Sequence, residues 1–285
     1  LRAAGLRTRA AGNVGTPVTE VVQDVSLDVL AVELSSFQLH FTSSMAARAA
    51  AVLNVAPDHL DWHGSLEEYA RAKGRVYAGV EVACVYAVAD ECTRRLVEDA
   101  DVAEGARAVG VTLGAPGPGE LGIIDGLLVD RSFHAPLDSF SRHDTAAELG
   151  ALDDLAHLAG PDGRLAPHVV TDALTAAALA RAHGVAARAV RDGLREYAPG
   201  AHRIEVVARV EDVVYVDDSK ATNAHAAAAS LDAFAPGTVV WVAGGLAKGA
   251  DFDELVASRK DRLRGVVVIG TDASGLLGAL GRHAA

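Results

Sequence analysis

Short apolar runs rich in Val, Leu and Ile alternate along the chain with Ala-rich stretches that carry charges at helical spacing. "LDVLAVELSS" is followed by "AARAAAVLNVAPDH", "EEYARAKGRVYA" by "ACVYAVAD", and "GTVVWVAGG" by "DFDELVASRK" and "GVVVIG". This alternation predicts parallel βαβ units. Between Gly105 and Ser139 the pattern changes to strands without helices, and "IIDGLLV" predicts a hairpin with Asp125-Gly126 as its turn, an antiparallel patch on a parallel sheet. Helices are predicted over "TDALTAAALARAHG" and "AARAVRDGLREY", ended by Gly184 and Pro199. "YAPGAHR" reads as a linker, after which a second α/β unit starts near Ile204. No internal repeat of solenoid length is present.

Composition narrows the picture. At 285 residues, 50% hydrophobic and 22% charged, the chain has the size of a two-domain globular protein. A net charge of -12, with Lys and Arg scattered, argues against a nucleic-acid surface. Cys84 and Cys92 are too few for a disulfide framework and read as buried or incidental thiols. There is no charged-then-apolar leader and no uninterrupted apolar stretch of about 18 residues, so a cytoplasmic setting without membrane insertion is expected. The chain opens on Leu1, has its only methionine at Met45 and stops just after the start of a strand–helix unit, which suggests a piece of a longer protein.

Four stretches carry candidate chemistry. In "VLAVELSSFQL", Glu33, Ser35 and Gln38 emerge from an apolar run. A carboxylate and a hydroxyl at a strand mouth can hold magnesium, and an ordinary polar strand end reads equally well. In "AAVLNVAPDHLDWHGSLEEYARAKGRVY", Asp58, His59, Asp61 and His63 follow a buried strand and precede a helix bearing Lys73. Four such groups close together favour a ligand set over a lone structural histidine. On that helix Glu67, Arg71 and Arg75 are spaced as a solvated face, to which Lys73 could also belong.

The third stretch, "VYVDDSKATN", turns abruptly polar at the mouth of a strand, where open α/β sheets bind ligands. Adjacent Asp217 and Asp218 repel each other unless a cation, a helix N-terminus or Lys220 neutralises one of them. Ser219, Lys220, Thr222 and Asn223 open a helix whose free N–H groups favour phosphate or carboxylate. The fourth, "AGGLAKGADFDEL", offers Gly244 and Gly245 for close backbone approach and Lys248 as a cation over a bound group.

Together, "GNVGTP", "ELSSFQL", "NVAPDHLDWHGSLEEYARAK", "AHRIE", "DDSKATN" and "GGLAKGADF" resemble the Mur ligase family across nearly the whole chain. Asp218-Ser219-Lys220 is similar to the member that adds D-glutamate, since sister ligases carry His-containing motifs there. The resemblance implies an α/β fold. Residues 1–199 would be a central ATP-binding domain, mostly parallel with an antiparallel patch, and residues 200–285 a partial Rossmann-like C-terminal domain. It implies an ATP- and magnesium-dependent ligase of cytoplasmic peptidoglycan precursor synthesis, acting as a monomer. UDP-N-acetylmuramoyl-L-alanine and D-glutamate would be its substrates, joined through an acyl phosphate.

By the same resemblance Glu33 and His59 hold magnesium, and Lys73 matches a lysine that is carbamylated and joins them as a metal ligand. The three are expected to converge on one face of the central sheet. Asn13, Ser35 and Gln38 match substrate contacts, Lys220 and Thr222 match contacts to D-glutamate, and Arg203 and Asp218 match nucleotide contacts.

Three departures stand out. The family's phosphate-binding loop would lie before Leu1. The serine and aromatic residues that complete the D-glutamate pocket would lie after Ala285. His168-Val169-Val170-Thr171-Asp172 stands where a His-Asn-x-x-Asn stretch is expected. The chain by itself is therefore expected to be inactive, and a non-catalytic binding or regulatory module with a degraded nucleotide site is the alternative. A dinucleotide-dependent oxidoreductase is disfavoured, because no G-x-G-x-x-G turn follows the first strand.

Overall fold

The computed structural model describes residues 1–245 and 251–284. The first half contains β1 (Thr8–Gly12), α1 (Val18–Val21), β2 (Val29–Glu33), α2 (Ser36–Phe41), β3 (Ala49–Val52), α3 (Leu60–His63), α4 (Leu66–Gly74), β4 (Ala83–Ala87), α5 (Glu91–Glu98), β5 (Arg107–Val111), β6 (Glu120–Ile124) and β7 (Leu127–Asp130). Then come β8 (Ala147–Ala151), α6 (Pro167–Ala182), α7 (Ala187–Glu196), β9 (Glu205–Val210), β10 (Val213–Asp217), α8 (Ala224–Leu231), β11 (Val239–Gly244), α9 (Asp253–Arg259), β12 (Leu263–Ile269) and α10 (Ser274–His283). These elements form two compact units. One comprises Leu1–Val55, Glu67–Asp154 and Thr171–Tyr197; the other comprises Ala56–Leu66, Leu155–Val170 and Ala198–Ala285.

The first unit is built on a six-stranded sheet in the order β3-β4-β5-β6-β7-β8. Pairing is parallel from β3 to β6 and antiparallel from β6 to β8, so the predicted antiparallel patch is present. Its hairpin turns at Asp125 and Gly126, with φ of 49° and 77°. Positive φ at both turn positions matches the right-handed twist of the flanking strands. Val85, Val109, Leu121, Leu128 and Leu149 are fully buried along these strands. α5, absent from the sequence reading, packs on β4 and starts where Asp90 accepts the Thr93 amide.

β1 and β2 form a separate parallel pair. The expectation that places Glu33 on the central sheet is therefore corrected: among the described strands β2, which bears it, pairs with β1 alone. Hydrogen bonding, which the apolar pattern does not encode, assigns the partner.

α6 starts at Pro167, earlier than the predicted Thr171, because proline is tolerated in a first helical turn where its missing N–H is not needed. Gly184, at φ 88°, ends it as predicted, with the Gly184 amide donating to the Arg181 carbonyl and Val185 to Ala180.

In the second unit β11 and β12 pair in parallel, and β9 and β10 form an exposed antiparallel hairpin. Helices α8, α9 and α10 enclose Ala243, Leu255, Val256, Leu276 and Ala279, with Trp241 and Val268 packed against them. Alternation along β11 buries Ala243 on that core and leaves Val240 and Val242 exposed. Among the described residues no helix is long and apolar enough to cross a membrane.

Candidate functional site

Glu33 ends β2 with an exposed carboxylate that has no partner among the described residues. Its carbonyl accepts the Asn13 amide at 2.7 Å, which closes the end of β1 onto β2. Gly12 sits there at φ 129°, and a Cβ on it would fall 1.9 Å from the Glu33 carbonyl oxygen. Only glycine permits this approach. Asn13 itself is exposed.

Ser35 and Gln38 are committed to each other. The Ser35 hydroxyl accepts the Gln38 amide at 3.2 Å, and Gln38 Oε1 accepts the Ser35 amide at 2.9 Å, a capping box that starts α2. Their spacing thus carries a structural role beside the expected substrate contacts.

The expected solvated face of α4 is half right. Arg71 pairs with Glu67 and Glu68, but the Arg75 guanidinium donates to the Leu39 and His40 carbonyls, so Arg75 is removed from that face. Carbonyls at the end of a helix lack intrahelical donors, and an arginine from elsewhere in the chain supplies them. Lys73 is half-buried, its ammonium 5.2 Å from the centre of the Tyr69 ring.

The second unit brings three distant stretches together. His202 Nδ1 lies 2.7 Å from Asp217 Oδ2, and Asp217 Oδ1 accepts the Ser219 amide at 2.9 Å. These contacts hold the Asp217 carboxyl down at about 2, and the carboxylate raises the His202 imidazole above its ordinary value. Asp218 Oδ1 accepts the Ile204 amide at 3.1 Å, and the Lys220 amide donates to the His202 carbonyl at 3.2 Å. The repulsion between the two aspartates is thus relieved by His202 and backbone amides, which among the alternatives open in the sequence selects a cationic partner other than Lys220. Sequence reasoning missed His202, although a histidine directly before Arg203 was in view.

Lys220 and Thr222 are exposed, and among the described residues neither side chain has a hydrogen-bond or ion-pair partner. Arg203 is exposed too.

The third stretch enters at Asp58. Asn223 Nδ2 donates to Asp58 Oδ2 at 3.0 Å, and Asn223 Oδ1 accepts the Ala226 amide at 2.8 Å as the N-cap of α8. Asp58 Oδ1 accepts the His59 amide at 2.9 Å, with His59 Nε2 3.6 Å away. His59 precedes α3 with φ 53°, in the left-handed region. His63 meets the Trp62 ring edge-on at 4.5 Å.

Among the described residues no three His, Cys, Asp or Glu side chains gather to hold a metal, so the expectation of a cluster from Asp58, His59, Asp61 and His63 is not met. For magnesium the unpartnered Glu33 carboxylate has the right donor chemistry; Lys73 acquires oxygen donors only on carbamylation, and His59 offers nitrogen. Lys248 lies outside the described residues. Val169 and Asp172 fall in the first turns of α6, half-buried and exposed respectively, and the buried Nδ1 of His168 has no hydrogen-bond partner among the described residues. Cys84 is buried, its thiol pushed up to about 11, and Cys92 is half-buried; both are free.

Residues 14–115 match the family model of the Mur ligase middle domain, and residues 202–283 match that of the Mur ligase glutamate ligase domain. The chain is 58% identical over its whole length to UDP-N-acetylmuramoylalanine–D-glutamate ligase of Streptomyces avermitilis and 57% identical to that of Streptomyces coelicolor. It spans 58% of the length of each. Among solved structures, MurF from Acinetobacter baumannii is similar in fold, with a TM-score of 0.59 at 17% identity over 98% of this chain and 66% of that one. MurF ligase from Thermotoga maritima in complex with ADP gives 0.58 at 16% identity over 93% of this chain and 60% of that one.

Proposed function

This chain belongs to the Mur ligase family, and we propose that it is part of an ATP-dependent ligase that joins D-glutamate to UDP-N-acetylmuramoyl-L-alanine in cytoplasmic peptidoglycan precursor synthesis. The observation that carries the reading is the Asp217–Asn223 loop. Its aspartates and Asn223 are taken up by His202, backbone amides and Asp58, while the Lys220 ammonium and the Thr222 hydroxyl face outward without partners among the described residues. A loop anchored by these hydrogen bonds and presenting one cation and one hydroxyl suits an amino-acid carboxylate, for which a charge-assisted hydrogen bond is strong and geometrically selective.

In the proposed reaction the substrate carboxylate attacks the γ-phosphorus of ATP, the bond to the β-phosphate oxygen breaks, and an acyl phosphate and ADP result. The D-glutamate amine then attacks the acyl carbon, and orthophosphate and a proton leave. Lys220 and Thr222 hold D-glutamate, Asn13, Ser35 and Gln38 face the muramoyl substrate, and Arg203 and Asp218 serve the nucleotide. Glu33, His59 and a carbamylated Lys73 would hold magnesium, which offsets phosphate charge when bound.

The test uses the full-length protein. Phosphate release that requires ATP, D-glutamate and UDP-N-acetylmuramoyl-L-alanine together is expected. Absence of release, together with absence of ATP binding, would favour the non-catalytic module that Val169 and Asp172 suggest.

A further inference from the structure

We propose that Asp58 and Asn223 are a positioning pair that locks the His59 turn to the start of α8 and so sets where Lys220 and Thr222 meet the incoming amino acid; this rests on the ligase reading above. The two residues are 165 positions apart, yet they join side chain to side chain at 3.0 Å within one compact unit. Both ends of each side chain are in use. Asn223 Oδ1 caps α8 through the Ala226 amide, so the cap orients the amide group and directs Nδ2 at Asp58. Asp58 answers with Oδ2 and holds the His59 amide with Oδ1.

The His59 backbone, at φ 53°, is in a conformation that costs a residue with a side chain free energy, and it persists where surrounding contacts impose it. The Asp58 carboxylate is such a contact. On the other side, Asn223 directly follows Thr222 and lies close behind Lys220, whose amide is held by the His202 carbonyl. The loop is therefore anchored at its start by His202 and at its end by Asp58. Loss of the second anchor frees the two groups proposed to hold D-glutamate.

The pair permits a reciprocal exchange. Asp58→Asn alone leaves one oxygen for two donors: facing His59 it sets two amide NH2 groups against each other, turned to Asn223 it sets its NH2 against the His59 amide, and flipping Asn223 instead turns its nitrogen on the Ala226 N–H and breaks the cap. Asn223→Asp alone opposes two carboxylates. In the double variant the new amide at position 58 can accept from His59 and donate to the new carboxylate at 223, which still caps α8, so every bond is restored.

In the full-length enzyme each single variant is expected to raise the D-glutamate KM by about tenfold with little change in the ATP KM, and the double variant to return to within about threefold of the parent, as coupled contacts do. Melting temperatures of all four proteins accompany the kinetics. Single variants that melt lower but keep the parent D-glutamate KM would overturn the proposal by showing a purely structural contact. A double variant no better than the worse single would overturn it as well. A parent enzyme without D-glutamate-dependent phosphate release would overturn the ligase reading itself and this proposal with it, an outcome visible before any variant is made.

Discussion

His202 and Asp217 meet at 2.7 Å at the open end of the hairpin of β9 and β10, an imidazole nitrogen against a carboxylate oxygen. The contact predicts a pH signature. His202 is raised above 6.5, so its charge-paired form is complete below that value and is lost as pH rises through its folded pKa. Asp217 is held at about 2 against an ordinary 3.8, so its contribution is present above 3.8 and is lost as pH falls through about 2. A proton NMR titration of the His202 ring should give a pKa above 6.5, and Asp217→Asn should return it toward 6.5. A ring that titrates identically in both proteins would contradict the pairing.

Lys220→Ala in the full-length enzyme should leave stability within about 0.5 kcal/mol, as surface changes without partners usually do. The exposed ammonium makes no ion pair among the described residues, so nothing internal is lost. The D-glutamate KM should rise or turnover vanish, with ATP binding little altered. A variant that melts markedly earlier yet uses D-glutamate normally would make the lysine structural.

Asp130 is fully buried and accepts Arg181 Nε at 2.8 Å and the Ser132 and Phe133 amides at 2.7 Å each. Asp130→Ala leaves the Arg181 guanidinium, itself largely buried, without its counter-charge. Removing one partner of such a pair costs about 3–5 kcal/mol. Denaturant unfolding should show a loss of that order, and a loss below about 1 kcal/mol would mean that water reaches the site.

Tyr77, also fully buried, bridges the sheet by a hydroxyl that accepts the Val52 amide at 2.9 Å and donates to the Val85 carbonyl at 2.6 Å. Burial pushes its phenol well above the ordinary range, so it stays protonated and able to donate. Tyr77→Phe keeps the packing and leaves two buried backbone groups unsatisfied, at a cost of about 1–3 kcal/mol measurable by thermal unfolding.

Features set by near neighbours in the chain were legible in the sequence. Asp125-Gly126 named its own turn because positive φ is a local demand, Gly184 ended α6 for the same reason, and the alternation of apolar runs with helical stretches gave strands such as β2, β4 and β11 and helices such as α4, though neither β1 nor α5. Motifs such as "DDSKATN" carried the family. What sequence alone left undecided was which polar group each of these residues would meet. Arg75 read as a solvated i,i+4 partner and instead serves the carbonyls of Leu39 and His40; Asp217 and Asp218 left open a cation, a helix N-terminus or Lys220, and packing supplied His202 and backbone amides; Asn223 found Asp58. Local conformation depends on φ/ψ preferences that each residue carries with it, whereas a hydrogen bond over 165 positions exists only once packing has closed the chain and excluded the water that would otherwise satisfy both groups.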